Sequence, residues 1–308
     1  PDGSARPARP REVRSLARAL TWSGCLGCLL GGILSCQLVP RDRTLVTPPP
    51  ASIDSGAAPI ATLRVGTFNI HDLYLASSDR PERMRAIADL LIDTQIQVAG
   101  IQEAFVASDR EVLFARLGDQ LPYHAYFDYG PVGSGLLIVS AFPIVATSMQ
   151  PFEARGKWYK PWHGDWWAGK GVASATLACP GLDVVLMDVH AHAQHDFEDD
   201  DEYLDVRTRQ MVEIASRVEQ AARGDALAFL VGDLNCGPGD SEYEHLSTAP
   251  LVHLLGAVID HIFVVPNRRV EVELRDAHEP LPIRVHRDGV LELSDHDLMW
   301  CDVALTLR

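Results

Sequence analysis

Six short polar clusters each follow an apolar run: Asn69 with His71, Glu103, His190 with His192, Asp233 with Asn235, Asp260 with His261, and Asp295 with His296. Singly, each is what a turn or a capped strand end also offers. Together they supply a carboxylate suited to a hard cation (Glu103), neutral amides (Asn69, Asn235), and a histidine with a carboxylate to orient it. That inventory suits a general base working beside a bound cation. In FLVGDLNCGP, residues 229–238, the apolar run stops at Gly232, where a sheet opens its edge. Asp233 and Asn235, two residues apart, can then aim at one ligand.

The elements that must hold these residues alternate along the chain. Residues 63–70 alternate as a strand, and 80–94 carry Met84, Ile87, Leu90 and Leu91 at helical spacing. A short buried strand is expected at 96–101 and a helix at 109–120. Strand pairs follow at 135–140 with 144–149, and at 171–178 with 182–189 around the turn Cys179-Pro180-Gly181. A helix over 203–222 precedes the strand that ends at Gly232, and strands at 258–265 and 298–307 close the chain. Mixed strand pairs with interspersed helices predict two packed sheets covered by helices, in one domain over 62–308.

The chain has 308 residues and a formal charge of −15. Residues 1–35 carry five Arg against Asp2 and Glu12, so the acidity belongs to the remainder. Such a surface repels polyphosphate and argues against a stable nucleic-acid partner, but a bound cation would dominate its own site. The Arg-rich start and the apolar run 19–34 read as an export signal, too short for a membrane span of about 20 residues. Ile33-Leu34-Ser35-Cys36 resembles a bacterial lipoprotein signal lipidated on Cys36, with plain secretion as the alternative. Residues 37–61, with Pro48-Pro49-Pro50, read as a flexible tether. Cys179, Cys236 and Cys301 are an odd number and predict no disulfide framework. A monomer is expected.

The series TFN (67–69), IQE (101–103), VHAHA (189–193), GDLN (232–235), IDHIF (259–263) and SDHD (294–297) resembles the endonuclease/exonuclease/phosphatase superfamily, in its motif order. The resemblance implies a four-layer α/β sandwich and Mg²⁺-dependent cleavage of a phosphoester, with Mn²⁺ or Co²⁺ as substitutes. GSGLLI (133–138), FPI (142–144) and GDWWAGKG (164–171) are similar to neutral sphingomyelinases, which implies sphingomyelin at a membrane surface as substrate. Carried over by motif, Glu103 helped by Asn69 holds the cation, and His296 is the general base, oriented by Asp260. His190 and Asn235 donate to phosphoryl oxygens. Asp233 orients the water or assists the leaving oxygen, and Asp295 positions His296 and touches the metal shell. Lys170 and Asp165 lie near the site, and Trp158 and Trp162 are candidates for lipid contact.

Two departures accompany the resemblance. Val189 and Ala191 flank His190 where the family has Thr and Leu, and the stretch from Cys236 to Val258 is shorter than the family's connection. Three other readings compete. His190, His192 and His195 resemble the histidine cluster of a binuclear zinc hydrolase, whose other motifs are missing. A secreted nuclease of the same superfamily and a lipid-headgroup-binding lipoprotein without turnover are the others.

Overall fold

The computed structural model describes residues 41–53, 58–74, 79–159, 166–194, 202–278, 280–281, 284–286 and 290–308. The expected signal segment, Cys36, Asp165, Trp162 and His195 lie outside the described residues.

Among the described residues, fifteen strands and three α-helices run in the order β1 (Arg41–Val46), β2 (Thr62–Asp72), α1 (Arg80–Asp93), β3 (Val98–Ala104), α2 (Ala107–Leu117), β4 (Tyr123–Gly130), β5 (Leu137–Ser140), β6 (Ile144–Pro151), β7 (Gly171–Cys179), β8 (Leu182–His190), α3 (Leu204–Ala222), β9 (Leu227–Asp233), β10 (Val252–Ala257), β11 (Asp260–Val265), β12 (Val270–Ala277), β13 (Arg284–His286), β14 (Val290–Glu292) and β15 (Met299–Leu307). One sheet has the order β1-β4-β5-β3-β2-β15-β12 and the other β10-β11-β9-β8-β7-β6. Each centres on one parallel pair, β2 with β3 and β8 with β9, joined through α1 and α3. Antiparallel neighbours complete both sheets.

Strand alternation makes the layers. Leu63 and Val65 of β2, Val184 and Leu186 of β8, Leu227, Phe229 and Val231 of β9, and Ile262 and Val264 of β11 meet between the sheets. The opposite faces pack outward. Phe68 and Ile70 join Met84, Ile87 and Leu91 of α1 and Leu113 of α2. Met187, Val189, Ala228 and Leu230 join Met211, Ile214 and Val218 of α3. The result is the expected four-layer α/β sandwich: helices, sheet, sheet, helix.

The segment read as a tether is in part structure. Arg41–Val46 pairs antiparallel with β4 at the edge of the first sheet, and Arg43 meets Asp128 at 3.1 Å. Its TLV end carries strand propensity, and the Pro run begins only at Pro48. Ile60 also packs against the inter-sheet core. Strands β4, β10 and β12 had gone unpredicted. In β10 the exposed edge positions leave little apolar alternation to read, whereas β12 was legible, since Val270, Val272 and Leu274 alternate with Glu271 and Glu273. The strand expected from Val258 starts at Asp260, because Val258 (φ 55°) turns the tight hairpin in which Ala257 faces Asp260. The short connection after Cys236 holds a 3₁₀ turn, Tyr243–Thr248, and then β10.

Candidate active site

The alternation that buries Leu63, Val65, Val231 and Ile262 carries the polar residues of the same strands to one place. Continuing in steps of two along each strand reaches Asn69, His190, Asp233 and Asp260. In register, His190 pairs Asp233 across the parallel β8–β9 ladder, and Asp233 pairs Asp260 across β9–β11. Three ionisable side chains therefore sit side by side on one sheet's inner rim. Asn69, from the facing sheet, donates to Asp233 Oδ2 at 3.1 Å.

Gly232 makes this row possible. Its φ is 136°, and a Cβ there would lie 2.0 Å from the Val189 carbonyl oxygen. A side chain at 232 would force β8 and β9 apart just beneath Asp233.

Glu103 breaks the alternation. Val98 points between the sheets and Ala99 and Ile101 toward the helices, so an unbroken strand would send residue 103 outward. Its φ of 58° and the irregular β2–β3 pairing past Asn69 turn it into the site instead. Glu103 Oε1 lies 3.9 Å from His190 Nε2, and Oε2 is buried with no hydrogen-bond partner among the described residues. Burial pushes this carboxyl up to about 7; the charge of Lys170 opposes the rise, and Asp233 and Asp295 add to it. A carboxylate so placed is either protonated or met by a cation. Glu103 and the amide oxygen of Asn69 are hard oxygen donors, which fits a magnesium-like ion.

His296 arrives on the loop between β14 and β15. Its Nδ1 is 2.8 Å from Asp260 Oδ2, and its Nε2 is 3.7 Å from Asp233 Oδ2. Burial opposes charge on this ring, but the hydrogen bond and charge of Asp260, with Asp233 and Asp295, raise it to about 10. Asp233 is itself raised to about 6, by burial first and by Asp260 next. Asp233, Asp260 and His296 offer ligand atoms within 4.8 Å of one another. The short His296–Asp260 hydrogen bond accounts for that proximity without an ion. Asn235 (φ 50°) donates one side-chain N–H to the Ala191 carbonyl at 3.1 Å, and its backbone N–H goes to Asp233 Oδ1 at 2.8 Å.

Several expectations change here. Lys170 is buried, with Nζ 3.1 Å from His190 Nε2 and 2.8 Å from the Ala191 carbonyl. An ammonium carries only donors, so in this contact His190 Nε2 accepts. Asp295 does not hydrogen-bond His296; it faces His71 Nδ1 at 3.7 Å with its side chain 59% exposed, and reaches His296 through charge alone. His192 stacks on Tyr203 and turns Nδ1 to the Ala193 carbonyl at 2.9 Å. Trp158 is 67% exposed on the loop after β6, edge-on to Tyr159. Cys179, Cys236 and Cys301 are free and buried.

Unassigned from the sequence were Arg83, whose guanidinium meets the Leu293 carbonyl, and Ser294, whose Oγ accepts from the His296 backbone N–H. Arg83 was legible: it falls on the helix face of Met84, Ile87 and Leu91, where a charged residue is unexpected. Also unassigned was His261, whose Nε2 lies 3.1 Å from the Cys236 carbonyl and whose Nδ1 lies 3.2 Å from His253 Nε2. The carbonyl must accept, so Nε2 carries a proton; that bond favours the charged ring, but burial outweighs it and pulls His261 down to about 4, with His253 adding to the fall. Because its folded value lies below the unfolded one, this stabilisation is present above pH 6.5 and lost as pH falls toward 4. Between pH 7 and 4.5, His261→Gln should lose about 2 kcal/mol less unfolding free energy than the wild type in urea titrations. Equal losses would show that His261 is not held neutral.

Two mixed sheets between helices, with a histidine–carboxylate pair on one inner rim and a buried glutamate, one of its oxygens unpartnered among the described residues, opposite, define the architecture. The chain belongs to the Endonuclease/Exonuclease/phosphatase family, whose model matches residues 66–296. A Drosophila melanogaster protein assigned as a neutral sphingomyelinase is 31% identical over 270 residues, 79% of this chain and 61% of that one. An inositol phosphosphingolipids phospholipase C of Schizosaccharomyces pombe is 31% identical over 209 residues, 67% of this chain and 49% of the relative. The chain thus spans only about half to three-fifths of the length of these relatives. In fold it resembles sphingomyelinase C from Streptomyces griseocarneus, with a TM-score of 0.61 and 20% identity over 80% of this chain and 99% of that one.

Proposed function

We propose that the protein is a divalent-metal-dependent phosphodiester hydrolase that cleaves sphingomyelin to ceramide and phosphocholine. The single observation that carries this reading is Glu103, turned into the site with an unpartnered buried oxygen opposite the His296–Asp260 pair. The similarity to sphingolipid phosphodiesterases supports the substrate class.

A bound cation, Mg²⁺ in this reading, would be held by Glu103 and Asn69 and would neutralise charge on the phosphoryl and leaving oxygens. His296 Nε2 takes a proton from the attacking water, while Asp260 fixes the proton on Nδ1 and stabilises the imidazolium. Asp233, between Asn69 and His296, orients the water. The second N–H of the Asn235 amide and the Lys170 ammonium donate to the phosphoryl oxygens as charge develops. Proton acceptance requires a neutral His296, and in the cation-free site the surrounding carboxylates keep it charged. Positive charge at Glu103 would relieve that excess of negative charge. Trp158 and Tyr159, exposed on the loop after β6, are side chains suited to contact with a lipid surface. Export and a lipid anchor at Cys36 rest on the N-terminal sequence and complete the proposal.

The test is hydrolysis by the purified protein of sphingomyelin, an inositol phosphosphingolipid, phosphatidylcholine and DNA, each with Mg²⁺ or with EDTA. Mg²⁺-dependent phosphocholine release from sphingomyelin is expected to exceed the other rates. Faster cleavage of the inositol lipid would move the assignment to that headgroup. Preferred cleavage of DNA would overturn it.

A further inference from the structure

Arg83, on the inner face of α1, is 4% exposed. Its Nη2 lies 2.6 Å from the Ile70 carbonyl and 3.2 Å from that of His71, at the end of β2 just past Asn69. The same Nη2 and its Nε lie 2.6 and 3.0 Å from the Leu293 carbonyl, three residues before His296. Among the described residues no carboxylate lies within ion-pair distance of it, so this buried cation serves carbonyl oxygens of two chain segments. Holding a guanidinium there opposes a desolvation penalty that an apolar residue packed against Leu293 and Ile87 would not meet. Burial accordingly pulls its pKa down.

The two segments carry opposite halves of the site. Asn69 belongs to the cation-side rim, and His296 is the base. A second link runs parallel to the first: Ser294 Oγ donates to the Asn69 carbonyl at 2.6 Å, and the His296 backbone N–H donates to Ser294 Oγ at 3.2 Å. His296 is carried on a loop, whereas Asn69, Glu103, His190, Asp233 and Asp260 are each carried on a strand. Its register with Asp260, which is on β11 in the other sheet, depends on where this loop is pinned.

We propose that Arg83 is a positioning residue for the general base, locking the His296 loop to the end of β2 so that Nδ1 meets Asp260 and Nε2 faces the site. The inference rests on the role given to His296 above. The planar guanidinium grips the Leu293 carbonyl with Nε and Nη2 while Nη2 also meets the end of β2, whereas a lysine ammonium, a point charge on a flexible stem, does not keep that fixed two-nitrogen geometry.

The test compares wild type, Arg83→Lys and Arg83→Gln. Without metal or substrate, NMR of ¹⁵N-histidine-labelled protein reads the downfield Nδ1 proton of the His296–Asp260 hydrogen bond. In folded Arg83→Lys that resonance should broaden or move upfield. kcat should fall about 10–100-fold while KM stays within about 3-fold, the signature of a misplaced catalytic group with binding intact. Arg83→Gln should show the larger loss. An unchanged resonance, or a kcat within about 3-fold of wild type, in folded Arg83→Lys would overturn the proposal. Loss of the fold in both variants would overturn it too, since Arg83 would then serve the fold and not the loop. Absence of turnover in the wild type would sink the hydrolase reading and leave the resonance test standing.

Discussion

Glu103→Gln should abolish turnover and at the same time raise the stability of the metal-free protein at pH 7 and above. The two effects have one cause. Glu103 is buried, its carboxyl is raised to about 7 from 4.5, and one oxygen has no partner among the described residues. A group whose folded pKa lies above its unfolded value stabilises below the unfolded value and loses that contribution as pH rises through 7. Ionised Glu103 therefore weakens the metal-free fold, by roughly 1–3 kcal/mol at neutral pH. Glutamine keeps the shape and removes the charge. Calorimetry at pH 8 should give a higher Tm for the variant in EDTA. Millimolar Mg²⁺ should raise the Tm of the wild type and leave the variant unmoved, because only a ligand bound to the native state stabilises it. A variant that is destabilised in EDTA, or that still gains Tm from Mg²⁺, would remove Glu103 from the cation site.

His296→Ala, the second large effect, should lower kcat by about 10²–10⁴ while preserving the fold, since the side chain lies at a partly exposed rim and not in the core. Asp260→Asn should lose a similar share, because the carboxylate at 2.8 Å fixes which ring nitrogen carries the proton. The double variant should be little slower than His296→Ala alone, as for residues that act as one unit. A second readout needs no substrate. In metal-free protein the His296 ring should stay charged to about pH 10, and in Asp260→Asn its titration should fall toward the usual histidine range. His296→Ala retaining more than about a tenth of the wild-type rate would assign the base elsewhere.

How far this centre could be read from residues alone differs from one member to the next. Asp233 was legible because Phe229 and Val231 fix its face and Gly232 ends the apolar run. Asn69, His190 and Asp260 follow by the same alternation. Glu103 was found by its motif; simple parity would have sent it outward, and only the positive φ explains its place. Lys170 could be placed near the site but not against His190, because they come from different strands and their pairing is a property of the assembled rim. Asp295 was given a contact with its neighbour's ring, yet the loop turns it to His71.

Alternation of apolar and polar residues, with the βαβ order of the elements, determined by itself that this chain forms two sheets under helices and that certain polar residues end up on inner faces. Those are consequences of the strand period of two and of burial, which act locally along the chain. The tertiary structure decided the distances that make chemistry: Asn69 to Asp233 across the two sheets, His296 to Asp260 across a loop, and Arg83 to Leu293 across 210 residues. Hydrogen bonds and pKa shifts depend on angstrom-scale placement and on the dielectric around each group. Neither exists until the sheets have packed.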